Sequence, residues 1–384
     1  MLSYARARLA PVRDPRSFHE WVANQFGERL FRIFFKTYTE KVWGMSCDEL
    51  SADWAAQRIK GLSLGTAVLN ALGRSLPFTG KRAGGSTVKT LIEEFRYPRR
   101  GPGMLWENVA RTVVERGASL QMGTRATGFE RDPGTGLWQV AVEAPDGRSE
   151  RLTATHVICS APMREVIAAV TPTPRCAVRA QSLRYRDFLT VALMLKDDGD
   201  LFDDNWIYIH DPSVKVGRIQ NFASWSPEMV PRPGVACLGL EYFCFEGDGL
   251  WDSSDAELVS MAARELEALG LARNDQVVDG CVVRQPKAYP VYDDDYRSIV
   301  DQIREEFRSS YPGMHFVGRN GMHKYNNQDH AMMTAILTVE NILAGQERFD
   351  VWCVNEDAEY HEEVGADRAA ALAGQRAVPG RVTS

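Results

Sequence analysis

No stretch of this 384-residue chain stays apolar long enough to form a membrane-spanning helix. No C-x-x-C pair occurs among Cys47, Cys159, Cys176, Cys237, Cys244, Cys281 and Cys353, and no histidine stands at metal-ligand spacing. An odd, unpatterned set of thiols reads as reduced cysteine in a cytoplasmic protein, not as a disulfide framework or a zinc site. A basic stripe is missing too. With 45 Lys and Arg against 51 Asp and Glu, a net charge of -6, the chain has nothing to neutralise a phosphate backbone, which excludes nucleic acid as the expected partner. Arg6, Arg8, Arg13 and Arg16 crowd the N-terminus beside a lone Asp14, but without the apolar core of a signal peptide they read as a basic helical turn. Nor does any strand lead into G-x-G-x-x-G: Gly134-Thr-Gly136 runs into a hairpin, and Gly101-Pro-Gly103 lacks a preceding strand and a third glycine.

What is present is an ordinary globular composition, 44% hydrophobic, enough for two domains or for one domain with an elaborate insertion. Residues 17–72 read as helical, because Phe18, Trp21, Val22, Phe26, Leu30, Ile33 and Phe34 keep a 3.6-residue rhythm and a second helix is expected from Asp53. A glycine-rich loop is expected over 79–90. The turn Gly101-Pro-Gly103 leads into a helix expected over 107–116, followed by β-rich runs at 119–122, 125–131, 137–144 and 151–159 with hairpin turns between them. From 176 to 290 the strands expected at 189–195, 206–210, 216–222 and 235–245 follow one another without helices, which predicts an antiparallel sheet, with a helix over 256–269 beside it. Beyond Cys281–Gln285 and the aromatic, proline-rich run holding Tyr289 and Tyr292, a helix is expected over 294–307 and a disordered tail from Gly365.

The organising stretch is Met314–Leu343: a short strand ending at Gly318, a turn Arg319-Asn320-Gly321, a polar loop, then a helix with Met332, Met333, Ile336, Leu337, Val339, Ile342 and Leu343 as its apolar face. Asn327 is expected to cap that helix and Asp329 to complement its dipole. Free backbone N–H groups at such a helix start suit an anionic or carbonyl-rich ligand.

Gly318-Arg-Asn-Gly-Met-His-Lys-Tyr-Asn-Asn-Gln-Asp329 resembles the C-terminal flavin-binding segment of the flavin-dependent amine oxidase and protoporphyrinogen oxidase-like superfamily. The resemblance implies FAD as cofactor, with Gly318, Arg319, Asn320, Gly321, Gln328 and Asp329 at its isoalloxazine end. A second run, Phe34-Phe-Lys-Thr-Tyr-Thr-Glu-Lys-Val-Trp-Gly44, resembles the Y-T-x-K-x-W-G signature of UDP-galactopyranose mutases in the same superfamily. It makes Phe34, Tyr38 and Trp43 substrate-side residues, since flat rings suit a uracil or other planar group. By the same resemblance Gly101, Gly103 and Ala126 lie on the cofactor side, and Tyr289 and Tyr325 on the substrate side. No mutase signature matches between 180 and 290, and His323 and His330 flank the loop as turn residues.

The expected architecture is α/β, α+β overall: a partial FAD-binding Rossmann-like domain, an antiparallel-sheet substrate domain and a helical segment. The expected boundaries are 1–97 helical and substrate-side, 98–175 and 291–364 flavin domain, 176–290 substrate domain and 365–384 tail. The expected activity is FAD-dependent oxidation of a small organic molecule or a nucleotide sugar. The alternatives are a mutase isomerising a UDP-sugar and a non-catalytic remnant or interaction module. Because the resemblance runs from residue 17 to about 363 without the glycine fingerprint, that fingerprint is expected upstream, on a partner chain, or lost, and these 384 residues alone are expected not to hold FAD.

Overall fold

The computed structural model describes residues 2–52, 96–199 and 201–355. The helix expected from Asp53, the loop over 79–90 and the tail from Gly365 lie outside the described residues. The chain divides into two units, residues 1–96 with 341–384, and residues 97–340.

In the first unit, α1 (Leu2–Leu9) precedes α2 (Phe18–Phe26), which opens with a capping box: Ser17 accepts from the Glu20 N–H while the Glu20 carboxylate accepts from that of Ser17. Two backbone donors at the helix start are thereby satisfied. After Gly27 the chain turns helical again, passes through a π-helical segment at Phe31–Lys36 and continues as α3 (Thr37–Trp43), ending at Gly44 with φ +62°. Phe18, Val22, Phe26, Phe31, Val42, Trp43, Cys47, Leu50 and Val354 are this unit's buried apolar residues among the described ones.

The second unit begins with α4 (Gly103–Glu115), which starts four residues earlier than the spacing predicts. The strand expected at 119–122 is absent; Leu120 and Met122 are exposed there, and a β-rich run with no neighbouring strand has no ladder to join. The expected meander follows: β1 (Arg125–Arg131), β2 (Trp138–Glu143) and β3 (Ser149–Ala154) pair antiparallel. β4 (Val157–Cys159) leaves the meander, α5 (Met163–Ala168) follows, and β5 (Val170–Thr171) returns parallel to β1.

The antiparallel sheet has the order β10-β6-β9-β8-β7, from β6 (Tyr185–Lys196), β7 (Trp206–Tyr208), β8 (Arg218–Asn221), β9 (Val235–Cys244) and β10 (Val277–Pro290). The chain turns through α6 (Phe222–Trp225) after β8, so the run predicted as strand to residue 222 ends one residue earlier in a helical turn capped by Asn221. Alternation along β6 sends Leu189, Val191, Leu193 and Leu195 to one face, where they pack with Leu238, Leu240 and Tyr242 of β9 under α7 (Asp255–Ala268). Burying such a side chain contributes about 1.5–3 kcal/mol. β10 outruns its predicted five residues because a bulge between Gln285 and Tyr289 takes Pro286 out of the ladder.

α8 (Tyr296–Ser310) leads to β11 (Met314–Phe316), which pairs parallel with β4, then to the helical turn α9 (Gly318–Gly321) and α10 (Gln328–Ala344). The fold is thus mixed α/β, with an antiparallel five-stranded sheet and small parallel pairings, as expected. Among the described residues no helix is long and apolar enough to cross a membrane.

Candidate functional site

Period-2 alternation that sends leucines under α7 sends Phe188 of β6, Glu241 and Phe243 of β9, and Arg218 and Gln220 of β8 to the opposite face of the sheet. Phe188, Phe243 and Tyr289 of β10 form a ring cluster with centroids 5.3 to 6.1 Å apart. Beside it Glu241 is only 2% exposed and accepts from Arg218 Nε and Gln220 Nε2. A carboxylate at that depth is tolerated because two donors replace its water.

The loop after β11 closes over this cluster. Tyr325 stacks on Tyr289 at 5.5 Å with the planes 15° apart, and the Arg319 guanidinium lies over both rings, 5.0 Å from Tyr289 and 4.8 Å from Tyr325. Arg319 is held in place by donating from Nε to the Asn326 carbonyl and from a terminal nitrogen to that of Ala288. Burial pushes the Tyr289 hydroxyl up to about 12, with Tyr325 and Glu241 adding to the rise while Arg218 and Arg319 oppose it. Tyr289 is therefore a neutral hydrogen-bonding group near pH 7, not a base. The Arg319 guanidinium against a wall of flat rings suits a planar or anionic ligand.

The bulge in β10 positions the loop. Lys287 takes φ +53°, its N–H donates to the buried Asp187 carboxylate at 2.6 Å, and its carbonyl accepts from Asn320 Nδ2 at 2.8 Å. Lys287 Nζ pairs with Glu165 and Glu246. Asn320 Oδ1 is buried without a partner. His323 is also buried, at φ +46°, a conformation that costs a non-glycine residue energy. Its Nε2 donates to the Val291 carbonyl, its Nδ1 is left without a partner, and burial lowers its pKa to about 4.

The turn glycines have different reasons. Gly318 has φ +76°, and a Cβ there would meet Ser160 and Ala331 only at ordinary contact distance, so its need is conformational. A Cβ on Gly321 would run into the Cys159 carbonyl, with Ser160 Cα at 3.1 Å, so its need is close packing on the end of β4. At the start of α10 the Asn327 N–H donates to His330 Nδ1, three residues on, while Asp329 sits in the first turn. The expected donor–acceptor sense is thus reversed there, with the imidazole serving the cap residue's own N–H.

The structure brings Arg319, Asn320, Tyr289 and Tyr325 into one cluster. Gln328 and Asp329 open α10. Gly101 is buried at φ +84°, where a Cβ would stand 3.3 Å from the Met229 methyl; Gly103 opens α4 with nothing near it, and Ala126 is exposed at a bulge in β1. In the helical unit Trp43 is fully buried, Tyr38 is half-buried, and Phe34 is exposed within the π-helical segment. Sequence reasoning missed Arg218, Gln220, Glu241, Asp187 and Lys287. The only signal for Glu241 is a lone charge inside the apolar run Leu238–Cys244.

The partnerless Asn320 oxygen fits a hydrogen-bonding edge of a flat polar ring system such as the isoalloxazine end of FAD. For the pyrophosphate, no strand among the described residues runs into a G-x-G-x-x-G turn and helix. Among them no group of three or more His, Cys, Asp or Glu is arranged to hold a metal ion.

No protein-family model matches the chain, and no curated protein matches it. Solved structures do. Reduced UDP-galactopyranose mutase superposes with a TM-score of 0.72 at 19% identity, covering 89% of this chain and 70% of its own. A protein assigned as a protoporphyrinogen oxidase from Exiguobacterium sp. 255-15 superposes with a TM-score of 0.62 at 17% identity, covering 90% of this chain and 72% of its own. At these identities the likeness concerns architecture alone, and over some nine-tenths of its length this chain shares the fold of these two solved structures.

Proposed function

We propose that this chain acts as an FAD-dependent oxidoreductase on a small organic molecule or a nucleotide sugar. The observation that carries the reading is the Arg319 guanidinium stacked over Tyr289 and Tyr325, on a loop whose Asn320 Oδ1 holds an unmet hydrogen bond for a flat polar ring. FAD, when bound, supplies the electron-transfer chemistry, and the protein supplies position and charge. In this reading Arg319 attracts and orients an anionic group, the rings of Tyr289, Tyr325 and Phe188 exclude water, and Gly318, Asn320, Gly321, Gln328 and Asp329 line the isoalloxazine end. Gly101, Gly103 and Ala126 belong to the cofactor side.

Phe34 and Tyr38 are the substrate-side rings of the helical unit. A π-helical segment costs hydrogen-bond geometry and recurs at functional sites, which supports a role for the residues it presents. The full burial of Trp43 suits a packing role in the same reading. Tyr38→Ala separates the two possibilities: a ligand-facing ring loses about 1–3 kcal/mol of UDP-galactose affinity, whereas a core ring loses about 3–5 kcal/mol of stability. Thermal melts beside UDP-galactose titrations decide it, and a large drop in melting temperature with unchanged affinity removes Tyr38 from the site.

A second reading, isomerisation of a UDP-sugar, is favoured by the higher TM-score to the mutase and by the Phe34–Gly44 run. Flavin-loaded protein is incubated with UDP-galactopyranose under reducing, anaerobic conditions and in air. Pyranose–furanose interconversion without oxygen consumption selects the mutase. Oxygen-dependent turnover selects the oxidoreductase.

A further inference from the structure

We propose that His19 is a positioning residue whose proton ties the start of the π-helical segment Phe31–Lys36 to α2, so that the segment and the exposed Phe34 it carries are held while the imidazole is charged and loosen once it is not. The His19 Nδ1 stands 2.7 Å from an Asp48 carboxylate oxygen, and its Nε2 stands 2.8 Å from one of Glu28. An ionised carboxylate only accepts, so both ring nitrogens must donate, and only the imidazolium carries two N–H groups. The arrangement is therefore complete in the charged form alone. Phe31, the buried first residue of the π-helical segment, stacks on the same ring with centroids 4.1 Å apart and planes 14° apart, a contact that a positive charge strengthens.

Loss of the proton removes one donor, and the surroundings decide which contact goes. Asp48 lies in a turn that the backbone also ties to α2, since the His19 N–H donates to the Cys47 carbonyl at 3.1 Å and the Phe18 N–H to that of Leu50 at 2.7 Å. Glu28 has an alternative partner in Arg32, whose Nε is 2.6 Å away. The remaining N–H thus stays with Asp48, and Glu28 is released. Glu28 opens the helical turn that runs straight into Phe31. π-Helical turns are uncommon, and α2 holds this one from one side: Phe35 stacks on Phe26 at 5.3 Å as Phe31 does on His19, which leaves Ile33 and Phe34 in water. Deprotonation removes the hold at the Phe31 end and leaves the one at Phe35.

The other charges on these elements are committed elsewhere. Glu20 of α2 accepts from the Arg16 and Ser17 N–H groups, Glu49 from that of Ser46 and Glu40 from that of Cys47, while burial pushes the Cys47 thiol up to about 12 and keeps it neutral. Burial works against a charge on His19, but Glu28 and Asp48 outweigh it and raise the pKa above 6.5. Burial likewise works against the Glu28 carboxylate, and His19 and Arg32 outweigh it and lower the pKa below 4.5. The tie is complete between those limits and is lost as pH rises through the folded pKa of His19. That Phe34 and Tyr38 meet a substrate rests on the function proposed above; the tie itself does not.

The test uses the full chain. Imidazole NMR follows the protonation of His19, and amide exchange, expressed as protection factors so that the intrinsic pH dependence cancels, is read over 28–36 with β6 as the internal reference. Protection over 28–36 should fall about fivefold as His19 loses its proton, the scale of one exposed ion pair, with β6 unchanged. His19→Gln, which keeps a planar donor but cannot titrate, should show the low protection at every pH, and His19→Arg, a permanent cation, the high protection at every pH. Constant protection over 28–36 while His19 titrates overturns the proposal, as does a His19→Gln protein that keeps the parent's pH profile. Thermal melts check that the variants fold, and where one does not, the parent's own titration decides. UDP-galactose titrations on the same samples keep the two readings apart: affinity that follows the protection profile joins the tie to substrate, whereas a chain that shows the tie and binds no UDP-galactose at any pH removes the substrate role of Phe34 and Tyr38 and leaves the tie standing.

Discussion

The antiparallel sheet and the parallel pair belong to one unit of the same chain, yet they stand in opposite relations to solvent. The sheet carries a closed apolar layer under α7 on one face, and on the other its deepest charge, Glu241, is met by Arg218 and Gln220. The parallel pair leaves Ile158 in water, and the apolar stripe of α4 in the same unit (Leu105, Trp106, Val109, Val113 and Val114) is likewise exposed. Stability in the first region is supplied by antiparallel partners on both sides of β6 and by one helix, all within the described residues. Parallel pairing needs crossovers and covering layers, so the second region depends on elements far from it.

The largest expected effect tests the closed side. Leu193→Ala, at a fully buried position between β10 and β9, should lower stability by about 2–5 kcal/mol, since the cavity cannot collapse between paired strands. Chemical denaturation measures it, and a loss under about 1 kcal/mol would mean that the layer is not tightly packed.

Next comes the junction between the two regions, where His323 is buried and neutral. Its folded pKa of about 4 lies below the ordinary 6.5, so between those values the unfolded chain takes up more protons than the folded one. Stability from this group is complete above about pH 6.5 and falls as pH drops toward 4, by up to about 3 kcal/mol at 1.36 kcal/mol per pH unit. His323→Gln should flatten that part of the melting-temperature profile, and an unchanged slope would assign it to the carboxylates. His19 of the helical unit has the opposite sign: burial works against its charge, but Glu28 and Asp48 outweigh that and raise its pKa, so its contribution fades as pH rises.

Gly321→Ala probes the end of β4. Its new methyl meets the Cys159 carbonyl, and overpacking of this kind costs about 1–3 kcal/mol. If flavin contact were the glycine's only purpose, the variant's melting curve without cofactor would match the parent's. The smallest effect belongs to the open side: Val109→Ser on α4 should change the stability of the chain alone by under about 0.5 kcal/mol, as surface substitutions do. A large loss there would erase the contrast between the two regions.

Much of the antiparallel half was legible because its signals are local. Alternation predicted β6 and β9 within a few residues, and Ser254 with Glu257 marks the start of α7. Where legibility failed, a distant partner was the cause. The run 119–122 has strand composition but no neighbour, and β10 extends through Pro286 because a bulge there serves Lys287 and Asn320. Arg319, Asn320, Tyr289 and Tyr325 were named from a resemblance, but the stack they form joins residues some 30 positions apart, a proximity no periodicity contains.

By itself the sequence determined the succession of helices and strands, the alternating runs of the middle, and the absence of a glycine fingerprint, all of which are read from residues within a few positions of one another. Only the tertiary structure decided that Gly321 is required by the Cys159 carbonyl, that Glu241 is a buried acceptor for two β8 side chains, and that the stripe of α4 is left in water. The physical reason is that backbone conformation and apolar period are set by near neighbours, whereas burial and charge pairing are set by whatever the folded chain brings alongside.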